Sequence, residues 1–330
     1  MRQYAAFIDA KRPIDLLSLP ARIRRLGEMK VRAERRVAIL APAKVNLILH
    51  VVGRRRDGYH LLETLMVPVS LSDEIQICAA LSKKRPSNVT CRVSGPAKVP
   101  GGPANLASRA ARCVLDELGV RAQVALQLRK YVPAGAGLGG GSSDAAAVLD
   151  ALPRLLGCRI RRSRLREMAA DLGADVPFFL DCRPAWATGV GEILRPIAGF
   201  PSLDLVVVVP RRRVATAWAY ANALPPLAEL TARKRGRNGA VGLRPSAKSL
   251  SLRVSNDFEH GVAAAVPDVA RLKRRLKALG ARAAVMSGSG SAVVGIFASR
   301  ADAEKAAGKF RSPDMAVAVR VLRRRPVRSA

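Results

Sequence analysis

A two-domain α+β architecture is what this chain predicts, on three observations. Strand-like and helix-like segments are mixed without the regular β-α-β beat of a doubly wound sheet. The length of 330 residues exceeds what one average domain needs. With 49% of residues apolar, there is material for a substantial core. The expected division is a basic extension at 1–37, a first domain at 38–195 and a second at 196–330.

Residues 1–37 mix short apolar pieces with charge and show no clean period, and Met29 is a second possible start. From Val37 the pattern turns to two β-rich apolar runs joined through Pro42. The polar loop Arg54-Arg55-Arg56-Asp57-Gly58-Tyr59-His60 then leads into a further strand at 61–70. Residues 73–79 and 88–94 read as additional strands. Helical spacing over 104–118 ends at Gly119, a suitable C-cap. Alternation of apolar and polar residues at 123–132 predicts a half-buried strand, stopped by Pro133. Helices are expected at 143–156, closed by Gly157, and at 163–172. The second half supplies a strand at 203–209, a helix near 216–223 and a basic loop at 231–256. A helix at 257–279, a strand-loop-strand at 282–297, a helix at 300–310 and a last strand near 315–322 complete the chain.

Composition excludes several classes. No apolar run reaches the roughly eighteen residues of a membrane span. Five cysteines form no C-x-x-C pair, and no apolar leader precedes a small-residue cleavage site, so a reducing cytoplasm is the expected setting. With scattered cysteines and three histidines, no built-in metal site is expected, and any metal arrives with a nucleotide. A net charge of +32, from 57 basic and 25 acidic residues, raises nucleic-acid binding as a rival function. Much of that excess lies in the peripheral stretches 1–37, 231–256 and 320–328. Aromatics at 4% leave few platforms for base stacking.

The strongest signal is Pro133-Ala134-Gly135-Ala136-Gly137-Leu138-Gly139-Gly140-Gly141-Ser142-Ser143, followed by Asp144 and three alanines. Five glycines in seven positions expose backbone N–H groups. The following helix aims its unsatisfied N–H groups and positive dipole end at the loop, which makes a phosphate cradle. Ser142 and Ser143 can cap that helix or turn toward phosphate or Mg²⁺. A Walker A loop would end in Gly-Lys-Ser/Thr, which is not present. A dinucleotide fold would place an acid about twenty residues on, after a continuous buried strand, and neither is found.

This loop resembles the second motif of the GHMP kinase superfamily. Ala41-Pro42-Ala43-Lys44-Val45-Asn46-Leu47 is similar to its first motif, and Met286-Ser287-Gly288-Ser289-Gly290-Ser291 to its third. Asp57-Gly58-Tyr59-His60, Gly173-Ala174-Asp175-Val176-Pro177 and Gly189-Val190-Gly191-Glu192 narrow the resemblance to the 4-diphosphocytidyl-2-C-methyl-D-erythritol kinases. It covers roughly residues 37–322. The extension and the basic stretch near 231–250 lie outside it.

The resemblance implies a ribosomal-protein-S5-like first domain and a ferredoxin-like second, with the active site in the cleft between them. It implies transfer of the γ-phosphoryl of ATP, with Mg²⁺ carried by the nucleotide, to the 2-hydroxyl of the methylerythritol unit. Asp175 becomes the base and Lys44 its ion-pair partner; read alone, Asp175 is equally an N-cap and Lys44 a surface lysine. Asn46, two positions from Lys44 on the same sheet face, can hydrogen-bond substrate or merely end a strand. Tyr59 and His60 offer an aromatic face and a ring nitrogen for cytosine. Thr216 and Tyr220, four apart on one helix face, enclose the acceptor or simply pack. Lys130 and Asn105 are implied near the base and ribose of ATP. The Ser287–Ser291 loop supplies N–H groups or turns a hairpin. Another GHMP kinase, of homoserine or mevalonate type, and a basic nucleic-acid-binding protein are the alternative functions.

Overall fold

The structure, a computed structural model, describes residues 35–225 and 254–326. The extension up to residue 34 with Met29, most of the basic stretch 231–256 and the last four residues lie outside the described residues.

Strand β1 (Arg35–Arg54) and strand β2 (His60–Leu81) form one long antiparallel ribbon. The sequence predicted a break at Pro42 and another near residue 71, and neither occurs. The ribbon instead slips register between Pro42 and Ala43, a bulge position that tolerates a residue without an N–H donor. The slip exchanges faces: Ala41 packs with helices on one side, while Ala43, Val45 and Leu47 pack toward the second sheet. Strands β3 (Asn88–Ser94) and β4 (Ala122–Arg129) extend the sheet in the order β3-β4-β2-β1.

Helices α1 (Leu106–Leu118), α2 (Gly140–Leu155), α3 (Arg162–Leu172) and α4 (Val176–Asp181) cover one face of this sheet. Ala145, Ala146 and Ala147 are fully buried, so α2 lies close against the strands. Helix α2 starts three residues before the expected 143, because the last glycines of the loop form its first turn. Sequence reasoning missed the short hairpin of β5 (Ala185–Thr188) and β6 (Ile193–Pro196), which hangs from β2.

The second half forms β7 (Asp204–Val209), α5 (Thr216–Asn222) and the two-residue β8 (Ser255–Asn256), which pairs with β1. Then come α6 (Glu259–Ala265), α7 (Asp268–Ala278), β9 (Ala283–Met286), β10 (Val293–Phe297), α8 (Arg300–Ala307) and β11 (Met315–Arg320). The helix expected at 257–279 is two helices. Pro267 follows Val266, whose φ of −129° and ψ of 83° leave the helical region, as a residue before proline tends to do. The order β11-β7-β10-β9, antiparallel throughout, is the ferredoxin-like arrangement that the resemblance implied.

Between the two sheets lies an apolar layer in which Val45, Leu65 and Val67 meet Leu205, Val207 and Val294. The chain end adds a tie: Leu322 N–H donates to the Pro68 carbonyl (2.8 Å) and an Arg325 Nη donates to the Phe179 carbonyl (2.6 Å). No helix among the described residues is long and apolar enough to cross a membrane. None of the five cysteines forms a disulfide.

Candidate active site

The two halves enclose a cleft of about 1040 Å³. Every residue expected to act on or bind ATP or the acceptor lines it except Ser143, which is fully buried behind the glycine loop with its Oγ lacking a hydrogen-bond partner; of the Ser287–Ser291 loop, Gly288 and Ser289 line it.

The glycine loop is pressed into shape from two sides. Gly137 adopts φ +75°, and a Cβ there would stand 2.4 Å from the Ser287 carbonyl oxygen. Gly139 adopts φ +69°, and its Cβ would meet the Phe179 ring at 2.9 Å and the Lys44 side chain at 3.1 Å. Glycine is therefore required by close approach as well as by conformation. Helix α2 has no side-chain cap at Gly139, so its first-turn N–H groups remain for an anion. A Cβ-free cradle, an uncapped sixteen-residue helix and an orphaned serine hydroxyl are features that fit a polyphosphate with its counter-ion.

The third motif is a brace. Ser287 Oγ accepts from Asn46 N–H (3.1 Å) and donates to the Gly137 carbonyl (3.4 Å), and Ser289 Oγ meets Thr216 Oγ1 at 3.0 Å. Asn256 holds this loop from behind by donating to the carbonyls of Met286 (2.7 Å) and Gly288 (2.8 Å). Arg213 closes the far edge by donating to the Ala134 carbonyl.

On the cleft floor, Lys44 Nζ donates to Asn46 Oδ1 (2.6 Å) and lies 3.4 Å from Asp175 Oδ2. Asn46 Nδ2 donates to Thr64 Oγ1 (2.7 Å), which donates to the Ile48 carbonyl (2.7 Å). Lys44, Asn46 and Thr64 are buried, whereas the Asp175 side chain is 36% exposed and makes no capping hydrogen bond to α4. The alternative reading of Asp175 as an N-cap therefore has no hydrogen bond behind it. A buried ammonium with a carboxylate open to the cleft suits proton abstraction from an alcohol.

His60 and Tyr220 stack at a tilt, ring centroids 5.3 Å apart, and Phe258 sets its edge on Tyr220 at 4.7 Å. Burial, and then the charge of Arg54, lowers the pKa of His60, so a neutral ring with one donor and one acceptor faces the cleft. Burial, and then the negative charge of Asp175, pushes the Tyr220 phenol up to about 12. Tyr59 is 64% exposed at the rim.

Lys130 and Asn105 line the cleft with their polar ends already engaged. Asn105 Oδ1 caps α1 by accepting from Ala107 N–H (3.0 Å), and its Nδ2 donates to the Pro100 carbonyl (2.8 Å). The Lys130 ammonium is held by Asp73 and Asp144 beneath the glycine loop. Asp73 Oδ1 also accepts from Tyr131 N–H (2.6 Å) and Val132 N–H (2.8 Å). All three charged groups are buried, so this cluster positions the end of β4 against the start of α2. Sequence reasoning missed Asp73, Thr64, Arg213 and Asn256. Only Asn256, in the compact run Asn256-Asp257-Phe258-Glu259 after the basic stretch, offered a local signal.

Residues 105–182 match the family model described as GHMP kinases N terminal domain, and residues 242–313 match GHMP kinases C terminal. Over 275 residues the chain is 41% identical to the 4-diphosphocytidyl-2-C-methyl-D-erythritol kinase of Syntrophotalea carbinolica, covering 83% of this chain and 94% of that protein. The chain belongs to the GHMP kinase family. A crystal structure of 4-(cytidine 5'-diphospho)-2C-methyl-D-erythritol kinase superposes on this GHMP kinase with a TM-score of 0.67 at 39% identity, covering 86% of this chain and 99% of that one. Homoserine kinase from Cytophaga hutchinsonii superposes with a TM-score of 0.68 over 90% of this chain and 97% of that one. Its 19% identity supports the shared GHMP fold alone.

Proposed function

We infer that this GHMP kinase transfers the γ-phosphoryl group of ATP to the 2-hydroxyl of 4-diphosphocytidyl-2-C-methyl-D-erythritol, a step in non-mevalonate isoprenoid-precursor biosynthesis. The observation that carries the reading is a single cleft bearing the Lys44–Asp175 pair, the glycine loop and the Tyr59–His60–Tyr220 wall. The relatives' names supply the acceptor. Asp175 takes the proton of the hydroxyl as its oxygen bonds to phosphorus and the bond to ADP breaks. Lys44 orients that carboxylate and favours the developing alkoxide. The glycine-loop N–H groups bind the phosphates at the α2 N-terminus. Mg²⁺, brought by the nucleotide, would neutralise phosphate charge, and Ser142, which lines the cleft, is the hydroxyl that would face it. Tyr59 and His60 hold the cytosine, with Thr216 and Tyr220 closing on the rest of the acceptor. Lys130 and Asn105 shape the nucleotide side through the contacts already described.

ADP release with Mg-ATP is the test, with cytidyl-methylerythritol, mevalonate, homoserine and galactose offered in parallel. Turnover with the cytidyl acceptor alone is expected. Turnover with a different acceptor instead would keep the mechanism and sink the cytidine pocket; no turnover with any would bring the nucleic-acid-binding alternative forward. Because Tyr59 is exposed and anchors no core, Tyr59→Ala should raise KM for the acceptor about tenfold, the scale of one base-stacking contact, with KM for ATP held. Steady-state kinetics with each substrate varied checks this, and an equal rise in both constants counts against stacking.

A further inference from the structure

Three lysine or arginine side chains line the cleft among the described residues: Lys44, Arg54 and Lys130. Two of these charges are matched inside the protein, Lys44 by Asp175 and Lys130 by Asp73 and Asp144. Arg54 is different. Its Nε donates to the Gly58 carbonyl (3.1 Å) across the turn that presents Tyr59, and it forms no ion pair among the described residues. The nearest acidic neighbour in sequence, Asp57, is paired with Arg55 at 2.6 Å. Gly58, at φ +91°, closes the turn so that the Arg54 guanidinium lies over it, 3.6 Å from where a Cβ would stand. Its charge also reaches the His60 ring, which places it on the acceptor side of the cleft.

An acceptor built on cytidine diphosphate carries two negative charges between its base and its alcohol. Asp57 and Asp175 line the same space, so that diphosphate enters a region with acidic groups and one uncommitted cation. Guanidinium offers a planar fork that matches phosphate oxygens in pairs, and with Nε on Gly58 its two terminal nitrogens remain. We propose that Arg54 is the diphosphate-binding residue of the acceptor site, and so a specificity determinant for nucleoside-diphosphate esters over neutral alcohols. This rests on the cytidyl reading of the acceptor.

The test is calorimetric binding of cytidine and of CDP to the full chain, with a saturating non-hydrolysable ATP analogue closing the nucleotide site. Wild type, Arg54→Gln and Arg54→Lys are compared at low salt, where exposed charge is least screened. Wild type should bind CDP about tenfold or more tighter than cytidine, the scale of a hydrogen bond to a charged group. Arg54→Gln should lose that gain while keeping cytidine affinity, and Arg54→Lys should recover part of it. CDP binding unchanged in Arg54→Gln overturns the contact. Equal weakening of cytidine and CDP overturns it too, because Arg54 then acts only by shaping the turn. Failure of both ligands to bind wild type overturns the cytidyl reading itself, a result distinct from the other two.

Discussion

Asp175→Asn yields a folded protein whose turnover falls by about 10²–10⁴, the range for loss of a general base. The Asp175 side chain is partly exposed and bonds no backbone N–H at the start of α4, so the amide removes a proton acceptor and the charge facing Lys44 without breaking a helix cap. Lys44 keeps its bond to Asn46 in the variant, which holds the floor of the cleft in place. The KM for ATP should stay near wild type, because the glycine loop does not touch this carboxylate through any hydrogen bond. Single-turnover rates and thermal melting, measured on the same preparation, decide the matter. A lowered melting temperature with normal turnover per folded molecule would return Asp175 to a helix-capping role.

Lys130→Met is expected to act on the other quantity, destabilising the fold by about 3–5 kcal/mol, because it leaves the buried acidic groups of Asp73 and Asp144 without the ammonium that they share. Chemical denaturation reads this directly, and a loss below about 1 kcal/mol would mean that the cluster is solvated in solution. The same cluster gives stability a pH dependence. Burial, and then the charge of Asp73, pushes Asp144 up to about 8, and burial also raises Asp73. From the ordinary carboxylate range up to that value, the native state keeps a proton that the unfolded chain has released. Stability therefore declines as pH rises through this window. Melting temperatures should fall from about pH 5 to about pH 8, and Asp144→Asn, which cannot ionise, should flatten the slope. A wild-type profile no steeper than that of Asp144→Asn contradicts the assignment.

The parts of the site written into short contiguous motifs were legible in the sequence. Gly135–Gly141 announce a cradle because their spacing before an alanine-rich helix has few other uses. Lys44 and Asn46 share a face by strand periodicity alone. The residues that hold these in place were not legible, because they act across long separations: Asp73 reaches Lys130 over 57 positions, and Asn256 reaches Gly288 over 32. No local pattern marks an aspartate that will be buried against a lysine just past the end of a neighbouring strand. The fold shows the same division. Helix α1 and strand β4 follow clean periodicities and were anticipated to within two and three residues respectively. Strands β1 and β2 looked broken because bulges shift the phase of their alternation, so a continuous ribbon imitates two shorter runs. The β5–β6 hairpin, four residues a side, is too short for periodicity to register.

The apolar layer between the two sheets has a consequence for how this kinase meets its ligands. Both walls of the cleft grow out of one dry seam, in which Val45, Val67, Val207 and Val294 are fully buried, and the chain end staples the seam at Pro68 and Phe179. Prising the walls apart would wet those side chains, at roughly 1.5–3 kcal/mol for each one fully exposed. The cleft is thus a mould more than a jaw. Its width stands before any ligand arrives, and adjustment is left to the turn at Arg54–Tyr59 and the loops above the floor. A rigid molecule cut to the shape of the mould would spend little of its affinity on rearranging the protein.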